Sequence, residues 1–288
     1  MKNGWLRLAA LAARWLPGDA KRAIYRVRPL AGWIRRRLNR SAPAGVARTQ
    51  VAAGALVGAQ LWLDLRREKD YWLGTYEPDL QAAICDWVKP GMTAYDVGAN
   101  IGYIALTLAR RVGTGGQVFA FEALPANVDR LKTNLALNPE GARVQVQACA
   151  VLDRCAPVRF WIGPSHGMGK AEGSAGRPAG ETAYTAAIEV DGISLDDFVY
   201  RQGNPPPQAV KIDVEGGEVM VLPGMRRLLA EARPLLLMEI HGPQAARAAW
   251  EQLSAAGYSL CAMRPGYPAV ASPEALGWKA YLVAHPKP

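Results

Sequence analysis

From Thr93 onward the chain alternates short apolar runs with segments of helical periodicity, and this alternation constrains the fold more than any other feature. Thr93–Val97, Gln117–Phe121, Val144–Ala150, Ala209–Val214 and Leu235–Ile240 read as strands. Tyr103–Val112, Ala126–Leu137, Glu218–Glu231 and Gln244–Ala256 read as the helices between them. Strands and helices alternating at this spacing form a parallel sheet with helices on both faces. Tyr258–Met263 and Lys279–Ala284 follow with no obvious helix between them and are expected as an antiparallel pair at the sheet edge. The expectation is an α/β fold with a doubly wound, mostly parallel, seven-stranded sheet. Val158–Ile162 and Ala186–Val190 flank the glycine-rich stretch Gly163–Thr185, expected to be a mobile loop over the active site.

Half of the 288 residues are hydrophobic, which supplies a packed core and excludes a mainly disordered chain. No uncharged apolar run reaches the 18 residues or so that a membrane span needs. The four cysteines include no CxxC pair and suggest a reducing compartment rather than a disulfide frame or zinc site. The net charge of +9 could point to nucleic acid, so its location decides its meaning. Residues 1–48 hold twelve of the 34 basic residues and one of the 25 acidic ones, a net +11, which leaves the other 240 residues at −2. A near-neutral body does not support a nucleic-acid-binding face.

The chain therefore divides into a basic arm, 1–48, and a body, 49–288. In the arm, Trp5, Leu8, Ala9, Ala12, Trp15 and Leu16 recur at helical spacing, and Leu30, Trp33, Ile34 and Leu38 repeat the pattern after Pro29. Tryptophan and leucine backed by arginine suit a helix lying in an anionic membrane interface. The same stripe would equally serve a helical cap packed on the body. A cleaved leader is a weaker reading, because Arg7 and Arg14 interrupt the apolar run. The protein is expected in the cytoplasm, with peripheral contact at the inner membrane face if the arm binds lipid.

Asp96-Val97-Gly98-Ala99-Asn100-Ile101-Gly102 is the most informative heptad. It joins a strand to a helix: Gly98 permits a tight turn and close approach to a ligand, and Gly102 permits close packing of helix and strand. Glu122 closes the next strand, placed to accept hydrogen bonds from ribose hydroxyls. Dinucleotide loops read GxGxxG so that amides can cradle pyrophosphate. Here an aspartate stands first, which would repel pyrophosphate but can hold an amino group. That favours S-adenosylmethionine, which carries a ribose and an ammonium but no phosphate.

Gly74-Thr75-Tyr76-Glu77-Pro78, Lys89-Pro90-Gly91, the heptad, Glu122 with Asn127 and Asn134, Ile193–Phe198, and above all Lys211-Ile212-Asp213-Val214-Glu215-Gly216 resemble the FkbM family of S-adenosylmethionine-dependent methyltransferases. The resemblance spans about residues 70–242 and implies a class I, Rossmann-like methyltransferase fold. It implies cofactor contacts from Glu77, Asp96, Gly98, Asn100, Gly102, Glu122, Ala150 and Asp213, with Ala150 beside the adenine. The family's Glu-Pro after the second strand is Glu122-Ala123 here.

Ligands of open parallel sheets bind outside the carboxyl ends of the strands, where Asp96, Glu122, Ala150, Asp213 and Glu239 are expected. A hydroxyl is a poor nucleophile until its proton is leaving, so methyl transfer to oxygen needs a base. Asp213 and Glu215, at alternate positions, would lean to one side if the strand continues through them. They could instead cap the following helix or, a weaker signal, hold a divalent metal; no resident metal is expected. Glu239 and His241 are further candidates, His241 because imidazole titrates near neutrality. His166 in the glycine-rich loop is a minor one. Lys211, inside an apolar strand, requires a carboxylate partner.

The expected activity is O-methylation of a saccharide, glycolipid or polyketide-like acceptor. The rivals are a nitrogen or nucleic-acid acceptor, or a catalytically idle cofactor-binding module that assembles other enzymes. The sequence does not speak to oligomeric state.

Overall fold

In a computed structural model, the structure describes residues 4–16, 27–163, 169–176, 184 and 186–287. His166 and much of the glycine-rich stretch lie outside the described residues.

Two helices, α1 (Gly4–Trp15) and α2 (Arg28–Ser41), precede a hairpin of β1 (Ala47–Gln50) and β2 (Gln60–Leu63). Helices α3 (Lys69–Leu73) and α4 (Pro78–Trp87) lead into the alternating body. There β3 (Thr93–Val97), α5 (Tyr103–Val112), β4 (Gln117–Phe121), α6 (Pro125–Ala136) and β5 (Val144–Gln147) form one half. Between the halves lie β6 (Ala150–Val151), β7 (Val158–Ile162), β8 (Lys170–Ala171), β9 (Ala186–Val190) and β10 (Gly192–Ile193). The second half comprises β11 (Ala209–Ile212), α7 (Glu218–Val221), α8 (Arg226–Glu231), β12 (Leu235–His241), α9 (Pro243–Ala255), β13 (Tyr258–Ala262) and β14 (Lys279–Pro286).

The main sheet has seven strands in the order β13-β14-β12-β11-β3-β4-β5. All pairs from β12 to β5 are parallel, and β14 runs antiparallel between β12 and β13. Strand order reverses between β3 and β11, which opens a crevice beyond their carboxyl ends, where ligands of such sheets bind. Side chains alternate between two cores. Ala94, Val118, Ala120 and Leu237 enter the one beneath α4 and α5, while Tyr95, Phe119, Phe121 and Met238 enter the one that α8 and α9 cover.

Several element boundaries depart from the expectation. The strand expected over Val144–Ala150 stops at Gln147, and Ala150 starts β6, which pairs in parallel with β10. The strand expected through Val214 stops at Ile212. The helix expected over Glu218–Glu231 is interrupted by a 3-10 turn, Leu222–Met225, where Pro223 has no N–H to continue it. The segments flanking the glycine-rich stretch pair with each other, and β7 also pairs with β8, in a separate three-stranded antiparallel sheet.

The arm packs on the body by only part of the stripe that the sequence suggested: Leu38 is buried and Ala9 and Ile34 are partly buried. Leu6 and Ala13 of α1, with Leu38 and Ala42 from α2 and its end, are buried in the same core as α4 and α5. Trp5, Leu8, Leu11, Trp15, Leu30 and Trp33 stay exposed. Leu6 and Leu38 thus make the close contact together with small residues, while the tryptophans and the remaining leucines face outward. Trp5 and Trp33 stack edge to face at 5.4 Å, with Arg37 over both rings. Among the described residues no helix is long and apolar enough to cross a membrane.

Candidate active site

A cavity of about 390 Å³ opens at the crevice between β3 and β11. Its floor is the β3–α5 turn. Gly98 has φ +80°, and a Cβ there would lie 1.9 Å from the Asp213 carbonyl oxygen. The residue is glycine because the backbone after β11 crosses that close, a reason additional to any ligand. Gly102, at φ +91°, faces Leu131 of α6, whose Cδ1 would sit 2.5 Å from a Cβ. The close packing expected of helix and strand is therefore packing of the α5 start against α6. Asn100 sits at φ +48° and lines the cavity.

Glu122 holds this turn in place. Its carboxylate accepts hydrogen bonds from the Asn100 N–H at 2.8 Å, the Leu124 N–H at 2.9 Å and Asn127 Nδ2 at 3.3 Å. A carboxylate can accept about four, so one position remains for a ligand hydroxyl. Burial raises the Glu122 carboxyl above its ordinary range, opposed by those three donors. Asn134 braces the same turn: its Nδ2 donates to the Ile101 carbonyl and its Oδ1 accepts from the Trp62 N–H, both at 2.8 Å.

Beneath the turn, Lys211 is buried with Nζ 3.0 Å from Asp96 Oδ1 and 3.9 Å from Asp213 Oδ2. It also donates to the Gly98 carbonyl at 2.7 Å. This meets the expectation of a carboxylate partner. Burial opposes the Lys211 charge, but Asp96 and Asp213 outweigh it and keep the ammonium protonated.

On the far wall, Glu239 and His241 close β12. His241 Nδ1 lies 2.9 Å from Glu218 Oε1, and Nε2 lies 2.8 Å from Glu239 Oε1 and 3.8 Å from Glu215 Oε2. Lys279 also pairs with Glu239. Burial disfavours the imidazolium, but hydrogen bonds to Glu218 and Glu239 outweigh it and raise His241 to about 10. Burial likewise disfavours the Glu239 carboxylate, yet His241 and Lys279 hold it at about 2. Two carboxyls go the other way. Burial, against the attraction of Lys211 and with the charge of Glu239, pushes Asp213 up to about 8. Burial and Glu239 push Glu77 up to about 7. Neighbouring carboxyls whose proton affinities are pushed apart are what acid–base chemistry uses.

Glu77, Gly98, Asn100, Glu122, Ala150, Asp213, Glu215 and Glu239 all line the cavity. Three named residues do not. Asp96 is fully buried behind the turn, facing Lys211, and does not offer its carboxylate directly to an amino group. Gly102 serves packing. His241 lies behind Glu239 and is protonated at neutral pH, so it is no base there. The strand does not extend through Asp213 and Glu215: Glu215 adopts φ +51°, so the expected alternation fails. Neither residue caps α7, whose N-terminus has no side-chain cap. Asp213, Glu239 and His241 lie close enough to share a cation, but His241 and Lys279 already occupy Glu239.

The sequence reading missed Lys279, the tyrosines Tyr71, Tyr76 and Tyr103, and Phe160 and Ser174 from the β7–β8 region. The tyrosine rings pack within 4.3–5.7 Å of one another. Tyr76 stands beside Glu77 in the Gly74–Pro78 motif, which was a usable signal; nothing in the sequence ties Lys279 to the site.

The cavity fits a cationic, hydroxyl-bearing cofactor. Carboxyl groups outnumber cationic side chains along its wall, which disfavours a pyrophosphate. Among the described residues, buried Glu77 Oε2, Asn100 Oδ1 and Glu239 Oε2 accept no hydrogen bond. Orphaned buried acceptors are costly, and an ammonium and ribose hydroxyls would supply the missing donors. Seven strands in this order, with an acceptor-rich cavity at the reversal, are the architecture of the class I, Rossmann-like methyltransferase fold.

Residues 96–260 match the family described as the methyltransferase FkbM domain, and the chain belongs to that family. It is 30% identical over 167 residues to the hexuronic acid methyltransferase AglP of Haloferax volcanii, an alignment covering 57% of this chain. The chain spans 62% of the length of that relative. A crystal structure of methyltransferase FkbM from Methylobacillus flagellatus aligns with a TM-score of 0.44 at 19% identity, covering 77% of this chain and 52% of that one. An O-methyltransferase from Bacillus cereus aligns with a TM-score of 0.44 at 16% identity, covering 72% of this chain and 79% of that one.

Proposed function

We propose that the chain transfers a methyl group from S-adenosylmethionine to a hydroxyl of a saccharide, with Asp213 as the base that takes the hydroxyl proton. The observation that carries this is the Asp213 carboxyl: it lines the cavity, has no cap to form, and is pushed to about 8 between Lys211, Glu77 and Glu239. A base poised near the working pH combines availability with driving force. Bound S-adenosylmethionine supplies an electrophilic methyl on a sulfonium. Glu77, Asn100, Glu122 and Ala150 hold the cofactor, Glu122 through its remaining acceptor position and Ala150 by leaving room. Lys211 fixes Asp213 and carries the Asp96 charge beneath it. Glu239 stays ionised and serves electrostatics rather than proton transfer, and Glu215 borders the acceptor side.

Two features support a sugar acid as acceptor. The relative in Haloferax volcanii is a hexuronic acid methyltransferase, and Arg67 and Lys279 put cationic groups on the cavity wall, Lys279 paired with Glu239. Residues 1–48 form an appendage docked on the methyltransferase domain of residues 49–288. Incubation with labelled cofactor and a glucuronoside, followed by mass spectrometry, tests the reading. Methyl ether formation is expected; a methyl ester, or no transfer to any hydroxyl acceptor, refutes it.

A further inference from the structure

A second cavity, of about 360 Å³, lies between the arm and the segment 66–75. This is within the roughly 300–1,000 Å³ of small-molecule sites. Ala9, Ala12, Leu16, Ile34, Leu38 and Leu73 line its apolar part. Its rim carries Arg35, Arg66, Arg67 and Lys69 against a single acid, Asp70. Among the described residues, the side chains of Arg35, Arg66 and Arg67 have no ion-pair partner. Lys69 Nζ donates only to neutral oxygens, those of Asn39, Leu65 and Arg66. Such crowding of cations around an apolar cleft is unfavourable without an anion. Arg67 and Asp70 also line the catalytic cavity, so the cationic rim is continuous with it.

We propose that this cleft binds a lipid phosphate, its hydrocarbon chain against α1 and α2 and its phosphate on the rim. A ligand that is both chain-like and anionic matches both halves of the lining, and arginine suits phosphate by its planar fork of donors. The head group then points along Arg67 toward the catalytic cavity, so the lipid is the anchor of the acceptor. This last step rests on the saccharide reading above; the lipid phosphate site does not. Large apolar side chains exposed on the same helices, with Trp15 73% and Leu8 58% exposed, accord with a ligand drawn from a membrane.

Calorimetry of the full chain with farnesyl phosphate, farnesol and inorganic phosphate tests the site, with adenosylhomocysteine titrated separately. Farnesyl phosphate should bind at least about 10-fold more tightly than either half-ligand. The exposed pair Arg35→Ala with Arg66→Ala should weaken it by about 10-fold or more, as loss of charged hydrogen bonds implies. Ala12→Phe should fill the cleft and abolish it, while both variants keep wild-type adenosylhomocysteine affinity. Equal binding of farnesol, binding of phosphate alone with the same affinity, or full binding by both variants overturns the proposal. So does attachment to phosphatidylglycerol vesicles with no uptake of farnesyl phosphate, which would make the arm a membrane-surface element. Loss of adenosylhomocysteine binding in the wild type would count against the cofactor reading alone.

Discussion

Asp213 follows β11 and Glu239 lies near the end of the adjacent parallel strand β12, yet their carboxyls are pushed in opposite directions. Glu239 is gripped by His241 and Lys279, whereas Asp213 has Lys211 at 3.9 Å and two acidic neighbours. If Asp213 is the base, kcat/KM should rise with pH through a limb near 8. Asp213→Asn should lower kcat by about 10²–10⁴-fold and remove that limb, with adenosylhomocysteine affinity retained in calorimetry. An unchanged limb would assign the proton to another group. Gly98→Ala tests the turn. Its Cβ would clash with the Asp213 carbonyl backbone at positive φ, so a loss of stability of about 1–3 kcal/mol is expected in denaturant titration. The residue types at these positions were legible in the sequence because each is tied to backbone geometry or charge. The partner of each was not: Glu122 reads as a ribose ligand, but most of its acceptor capacity is spent on Asn100, Leu124 and Asn127.

At the scale of elements, β12 is tied to α7 by His241 against Glu218, and to β14 by Glu239 against Lys279. Because His241 is raised from 6.5 to about 10, its contribution is fully present below pH 6.5 and is lost as pH rises through 10. His241→Gln should therefore cost about 3 kcal/mol at pH 6, as breaking a buried pair does. The difference from wild type should shrink toward pH 10 in chemical denaturation; a pH-independent deficit would reduce His241 to a packing residue. The sequence placed these strands within a residue or two wherever both faces are apolar, as in β3, β4 and β12. It overran at Val214 and Ala150, because apolar residues recur after both strands have ended, Val214 beyond Asp213 and residues 148–150 beyond Gln147. The helix break at Leu222–Met225 was announced by Pro223 and read through all the same.

Across the whole molecule, charge is segregated between an arm rich in arginine and a cavity at the strand-order reversal rich in carboxyls. Asp213 and Glu77 hold protons below about 8 and about 7 and release them above. A cation in the cavity gains from that release, so the affinity for S-adenosylmethionine relative to adenosylhomocysteine should rise between pH 6 and 9. Calorimetry at both values measures it, and nicotinamide dinucleotides should not bind at either. A ratio that falls with pH would mean that the sulfonium sits away from these carboxyls.

By itself the sequence determined the strand–helix alternation, the glycine turn, the acids that close the strands and the segregation of the basic arm. These are local: periodicity, backbone conformation and net charge follow from neighbouring residues. Only the tertiary structure decided which face of the arm is buried, that Asp96 and His241 stand behind the cavity, and that Lys279 enters it from a strand 40 residues after Glu239 in the chain. Those outcomes depend on which side chains meet after the sheet is assembled, and burial next to a particular charge, rather than residue type, sets what each group can do.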